Sequence, residues 1–239
     1  MSNLKVLYED NHIIAVVKPA CVLTQGDGSG EKNLIDIVKD YLKEKYKKPG
    51  NVFLGLVHRL DKPVQGIVLF GKTSKGAARL SEQFRNHTIQ KTYHAIVLGK
   101  VKEKKGELKE KINKISFFAE GFTKKSDEEL LHEIKKATKT RTAELSWELV
   151  KSNDKYSLLK VLPKTGRFHQ IRVQMSEMGH PILGDIKYGK SQKALPDKSI
   201  ALAATGIEFE TATENKIIKL EIPLPKEWGA YLSTGQGLD

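Results

Sequence analysis

His58-Arg59-Leu60-Asp61-Lys62-Pro63-Val64-Gln65-Gly66 sets one carboxylate in a run of cations and leads straight into the apolar stretch Ile67-Val68-Leu69-Phe70-Gly71. About a hundred residues later, Gly166-Arg167-Phe168-His169-Gln170-Ile171-Arg172 supplies arginines able to fold back onto that carboxylate. Lysine is this chain's habitual cation. Its only arginines are Arg59, Arg79, Arg85, Arg141, Arg167 and Arg172, and three of the six fall in these two segments. An arginine where lysine is the default points to a need for a planar, bidentate donor.

Working outward, Lys5–Tyr8 and Ile13–Val17 read as two short strands joined by a turn at Glu9-Asp10-Asn11. A glycine-rich loop, Gly26-Asp27-Gly28-Ser29-Gly30, precedes Asn33, which has the chemistry of an N-cap for a helix to about Tyr46. Leu54–Val57 is a short apolar run, Gly66–Gly71 a strand, Ser74 to about Phe84 a helix, and Thr92–Leu98 a strand. Residues 100–141 are lysine-rich and less regular, with Ser126 and Glu129 as a capping box for a helix through Ala137. Strands are expected at Thr142–Val150 and Tyr156–Leu162, a helix from His169 to Met178 stopped by Gly179, and strands at Ile200–Ala204, Ile207–Glu210 and Ile217–Ile222. Hairpin-like connections dominate, so the fold class is α+β with a mixed or largely antiparallel sheet.

At 239 residues the chain is long enough for a substantial core, with 39% hydrophobic and 29% charged residues. The net charge of +12 points to an acidic partner, nucleic acid first and an anionic membrane second. Residues 1–99 carry 15 Lys and Arg against 9 Asp and Glu, and residues 100–141 carry 13 against 8, so the excess lies in the first 141 residues. Cys21 is the only cysteine, which excludes an internal disulfide and a cysteine-built zinc site. No apolar run is long enough to span a bilayer as a helix, and the N-terminus lacks the pattern of a signal peptide, so the expected address is the cytosol.

Two short motifs match by letter and fail on physics. Gly66-Ile67-Val68-Leu69-Phe70-Gly71-Lys72-Thr73 fits the phosphate-loop expression, but its four central residues are bulky and apolar, as in a buried strand, where a phosphate cradle needs a tight turn. His58-Arg59-Leu60-Asp61 misses the spacing of the kinase catalytic loop by one residue, and no Asp-Phe-Gly follows.

The stretch from His58 to Gly66 resembles the catalytic motif of the RluA-type pseudouridine synthases. Tyr8-Glu9-Asp10 with Val17-Lys18-Pro19-Ala20 resembles that family's opening, and Lys91-Thr92-Tyr93-His94-Ala95 its tyrosine motif. Thr165–Val173, with Gly179–Asp185 and Tyr188-Gly189, resembles its third motif. Four matches in order cover most of the chain. Cys21 stands where the family usually has glycine, and Val64-Gln65 replace a usual Thr-Ser.

The resemblance implies a single catalytic domain over residues 1–239 with an active-site cleft between two halves, helices flanking the sheet, and no preceding S4-type domain. It implies isomerisation of uridine to pseudouridine in RNA without cofactor or metal. Asp61 is the expected nucleophile or general base. Arg167 is the expected bidentate partner that orients it, and Tyr93 the tyrosine stacked on the uracil near C5. Arg59 is a candidate to fill the space left by a flipped base, Ile171 to pack on the base, and Lys18 and Lys62 to meet phosphates. His58 is expected to buttress the loop, and His169 and His180 receive no chemistry. Ribosomal RNA is the preferred partner, transfer RNA the alternative, and a monomer the default. The competing reading is an RNA-binding protein that keeps the fold without catalysis.

Overall fold

The apolar runs of β2 (Ile13–Lys18) and β4 (Gln65–Gly71) do not alternate with polar residues, because both faces of these strands are covered. Ile14, Val16, Val68 and Phe70 point into one apolar cluster with Leu34, Val38 and Leu42 of helix α1 (Leu34–Lys45). Ile13, Ala15, Ile67 and Leu69 point into the other, with Leu80 of α2 (Ser74–Arg85). Burying each such side chain is worth about 1.5–3 kcal/mol, so the two strands hold the helices to opposite faces. Asn33 caps α1 in a capping box with Asp36, and Thr73 caps α2 through Gly76 N–H.

The computed structural model describes residues 4–112, 141–189 and 193–233. The remaining elements are β1 (Val6–Glu9), β3 (Gly55–Leu56), β5 (Gln90–Leu98), β6 (Lys105–Ile112), β7 (Arg141–Ser152), β8 (Tyr156–Pro163), α3 (Gln170–Glu177), β9 (Leu202–Glu210), β10 (Ile217–Glu221) and α4 (Gly229–Leu232). They form one mixed sheet in the order β1-β2-β4-β9-β5-β8-β7-β6, with β3 on β4 and β10 on β9. Among the described strands every pair is antiparallel except β4 and β9, which meet in parallel at Gln65↔Ala203 and Gly66↔Ala204. The α+β, largely antiparallel architecture expected from the sequence is the one observed.

That parallel contact joins the two halves of the sheet. It depends on Gly66, whose φ of +137° is open to glycine and strained for other residues. A Cβ at this position would lie 2.3 Å from the Ala204 carbonyl oxygen.

Several expectations shift. The two strands expected at 200–204 and 207–210 are one, β9, because Thr205-Gly206 forms an irregularity opposite Thr92 and Tyr93 rather than a break. The lysine-rich stretch from residue 105 is a strand, β6, paired with β7 from Lys105↔Glu148 to Ile112↔Arg141. It lies at the end of the sheet, and on its inward face Leu108 packs against the core between Gly106 and Glu110, so its letters show no run of alternating apolar residues. The helix expected at 126–137 lies outside the described residues. Gly66–Gly71 is a strand, as its apolar letters require, and the Lys72 ammonium is engaged by Glu9 (2.6 Å) and the Asp10 carbonyl (2.6 Å). Among the described residues no helix is long and apolar enough to cross a membrane.

Candidate active site

The loop from His58 to Val64 enters the parallel junction, and backbone and side-chain hydrogen bonds tie it along its length. Leu69 N–H donates to His58 Nε2 (2.9 Å), which makes Nε2 the unprotonated ring nitrogen. Burial, with Lys91 nearby, holds His58 at a pKa of about 3, and the neutral ring packs on Phe84. Thr24 Oγ1 accepts from Leu60 N–H and donates to Leu60 C=O. The Ile200 N–H reaches the Pro63 carbonyl, and Val64 N–H closes a turn onto Asp61 C=O. Lys18 is fully buried, and its ammonium donates to the carbonyls of Pro19 (3.0 Å), Val22 (2.7 Å) and Lys62 (3.1 Å).

These ties hold Asp61 at a pocket of about 120 Å³ lined by residues from both halves of the sheet. Tyr93 from β5, Ile171 and Arg172 from α3, His169, Lys91 and Leu202 share its wall, with Arg59 and Arg167. Burial pushes the Asp61 carboxyl above its ordinary pKa; Arg172 opposes that most, and Arg59 less. Burial, with the Asp61 charge, raises the Tyr93 phenol, which therefore stays protonated at neutral pH.

The guanidinium on Asp61 is that of Arg172, whose Nη1 lies 3.3 Å from Asp61 Oδ2. Its Nε and Nη2 form a fork on Asp185, at 2.7 and 2.8 Å. Burial disfavours the Arg172 charge, but the Asp185 and Asp61 carboxylates overcome it and hold the group protonated. Its guanidinium also lies 5.0 Å from the centre of the Tyr188 ring.

The sequence assigned this orienting role to Arg167; in the structure the contact to Asp61 is made by Arg172. Arg167 lines the pocket, but its Nε donates to the Thr142 carbonyl (3.0 Å). Helical geometry explains the difference. Arg172 lies inside α3, where its neighbours Ile171 and Val173 are also buried, and it projects from a rigid element. Arg167 lies in the loop before the helix, held by Gln170 Oε1 through its backbone N–H.

Two further assignments move. Lys18, expected to meet a phosphate, is withdrawn from the surface by the three carbonyls it serves and does not line the pocket. Lys62 is exposed, paired with Glu31 at 2.6 Å, and does not line the pocket. Asp61, Tyr93, Arg167, Arg59 and Ile171 are brought together.

His169, Asp185, Tyr188, Gln170 and Lys91 were quoted in motifs without a role. His169 adopts φ +50° at the start of α3, and its Nε2 lies 3.5 Å from Asp61 Oδ2. Its Nδ1 is 2.8 Å from the Tyr188 hydroxyl. Burial, then Arg172, Lys187 and Arg59, hold its pKa at about 3, so the ring is neutral. A proton on Nε2, facing the carboxylate, leaves Nδ1 to accept from Tyr188 O–H and satisfies both contacts. The signal that could have found Asp185 is an acid closing the apolar run Pro181-Ile182-Leu183-Gly184 directly after a helix. Among the described residues no group of three or more His, Cys, Asp or Glu side chains is placed to hold a metal ion.

Comparison with known proteins gives this geometry a context. A family model described as RNA pseudouridylate synthase matches residues 12–177. The ribosomal large subunit pseudouridine synthase C of Buchnera aphidicola subsp. Acyrthosiphon pisum is 31% identical over 236 residues, covering 96% of this chain and 70% of the relative. The tRNA pseudouridine synthase C of Vibrio cholerae is 34% identical over 240 residues, covering 96% and 95%. In fold, the chain matches the solved structure of Human RNA Pseudouridylate Synthase Domain Containing 4 with a TM-score of 0.74 at 21% identity, covering 94% of this chain and 90% of that one.

Proposed function

The chain belongs to the RluA-type RNA pseudouridine synthases, which are isomerases, and on that premise we propose that its pocket converts uridine to pseudouridine in ribosomal RNA, with transfer RNA as the alternative substrate. One observation carries the reading: a partly buried carboxylate, Asp61, is met by Arg172 Nη1, whose guanidinium is fixed by Asp185, in the same pocket as a protonated tyrosine, Tyr93.

The target uridine leaves its stack to reach such a pocket, at a cost of a few kcal/mol. Arg59, exposed at the pocket mouth, takes the vacated space. Asp61 then attacks C1′ to form an ester, or removes the C2′ proton to give a glycal; in either case the N1–C1′ bond breaks and its electrons remain on the uracil. The ring turns against Tyr93 and Ile171, C5 bonds to C1′, and the proton on C5 leaves as Asp61 is regenerated. Nothing is oxidised or reduced. Arg172 keeps Asp61 ionised against its burial, and neutral His169 steadies the second side of the carboxylate without competing for its charge.

Tritium release from ribosomal and transfer RNA labelled at uracil C5 tests this. The wild type is expected to release label from at least one RNA class and Asp61→Asn from neither. Equal release by both proteins, or release by neither on RNA that the protein binds, would overturn the proposal.

A further inference from the structure

Lys91 is the one pocket-lining residue with a side-chain ammonium. Among the described residues no carboxylate lies within ion-pair distance of it, and its single hydrogen bond, to the Thr165 carbonyl, is long at 3.5 Å. The group lies beside Gly166, where an added Cβ would be 3.8 Å from Nζ. Burial pushes its pKa down with no counter-ion to restore it. A cation withdrawn from water is costly unless paired. This one has two donors unused, on the wall of a cavity open to substrate.

Its place along β5 indicates what it meets. Burial deepens from exposed Gln90, through partly buried Lys91 and Tyr93, to fully buried Ala95. Lys91 and Tyr93 line the same pocket two residues apart, about 7 Å along the strand. Lys91 is therefore on the mouth side of Tyr93. It is absent from the groups that act on Asp61, whereas Arg172 and Arg59 are present. Arg167 lines the same pocket with its Nε committed to the Thr142 carbonyl. A nucleotide whose base lies against Tyr93 and whose C1′ faces Asp61 must keep its backbone at the mouth, where the RNA enters and leaves. A phosphate carries the charge that compensates a buried ammonium; a uracil carbonyl does not.

We propose that Lys91, with Arg167 beside it, forms a phosphate-binding subsite for the backbone of the nucleotide held in the pocket. The subsite rests on the RNA reading above and extends it to a named contact. It also assigns Arg167 a role that a point charge can fill, which distinguishes it from Arg172.

The probe is a fluorescent pentauridylate, compared with the same oligomer carrying neutral methylphosphonate linkages, with binding read by anisotropy. Lys91→Met is expected to weaken diester binding about ten-fold and to make the log–log salt slope less negative by about 0.7, the value of one single-strand phosphate contact. It should change binding of the neutral oligomer less than about two-fold, because no charge pair is lost there. Lys91→Arg should retain the diester preference and stands in if Lys91→Met folds poorly. Lys219→Met, on β10 and paired with Glu221, sets the background for removing a distant charge. Lys91→Met should also melt no lower than the wild type, because it removes an uncompensated charge; a purely structural lysine would show the opposite. An equal defect on both oligomers would assign Lys91 to the base and overturn the proposal. So would a diester defect no larger than that of Lys219→Met, or a wild type that binds neither oligomer. Diester-selective binding without tritium release from any RNA would refute the synthase reading and leave the phosphate subsite standing.

Discussion

Arg172 reaches Asp61 with one nitrogen while its other two grip Asp185, so the group that orients the pocket carboxylate is itself held before any substrate arrives. Such pre-set geometry lets a charged contact act without reorganisation during the reaction. It also separates the two arginines of the motif by function. A fork matters where direction matters, and a point charge is enough where only compensation is needed.

Arg172→Lys is therefore expected to lower kcat by about 100-fold or more, since it loses both the fork on Asp185 and the direction of the contact to Asp61. Arg167→Lys is expected to lower kcat by less than about ten-fold, with its effect mainly in KM, because it keeps the charge. Steady-state tritium release on one RNA separates them; equal losses in kcat would contradict the assignment.

Asp61 offers a test by pH. Its folded-state pKa is raised, so the folded protein holds this proton more tightly than the unfolded chain does. The ionised carboxylate thus costs stability above the folded pKa, and that cost vanishes below the unfolded value of about 3.9. Asp61→Asn should accordingly melt higher than wild type at pH 7, by about 2–4 °C per kcal/mol of relieved cost, and the gap should close as the pH falls towards 4. A variant that melts lower at pH 7 would mean the Arg172 contact outweighs burial.

Lys18→Met should behave as a loop defect. Three carbonyls lose their donor in a buried setting, which is expected to cost about 2–4 kcal/mol in denaturant unfolding. The carboxylate loop loosens with it, so kcat falls, while the salt dependence of RNA binding stays unchanged. A change in salt slope would return Lys18 to the phosphate role.

Gly66→Ala carries the largest stability cost of these changes. It combines an unfavourable φ with a backbone overlap against Ala204, where neither strand can retreat without opening the sheet. We expect a loss of at least about 3 kcal/mol, read as lower soluble yield and a depressed melting temperature.

The apolar runs of β2 and β4 were legible in the sequence because burial on both faces leaves no polar alternation, and Asn33 was legible because a cap has local chemistry. β6 was not, because its inward positions include Gly106 and Glu110 beside Leu108, so the alternation in burial is not written as an alternation of apolar letters. Asp61, Tyr93, Ile171 and Arg59 could be placed from their motifs. The choice between Arg167 and Arg172 could not, since both lie in one seven-residue stretch and only the start of α3 after His169 decides which faces the carboxylate. Lys18 looks like a surface charge in the sequence; of the three carbonyls that engage it, the one on Lys62 lies 44 residues away.

The parallel contact between Gly66 and Ala204 has a consequence for biosynthesis. Asp61 lies in the first third of the chain, and Arg172, Asp185 and the strand that seats against Gly66 follow more than a hundred residues later. Contacts so distant in sequence close late and slowly. A nascent chain still short of Ala204 has its carboxylate loop but lacks β9, the strand that seats against Gly66. Competence for the reaction therefore waits for β9, well over a hundred residues after the carboxylate has been synthesised.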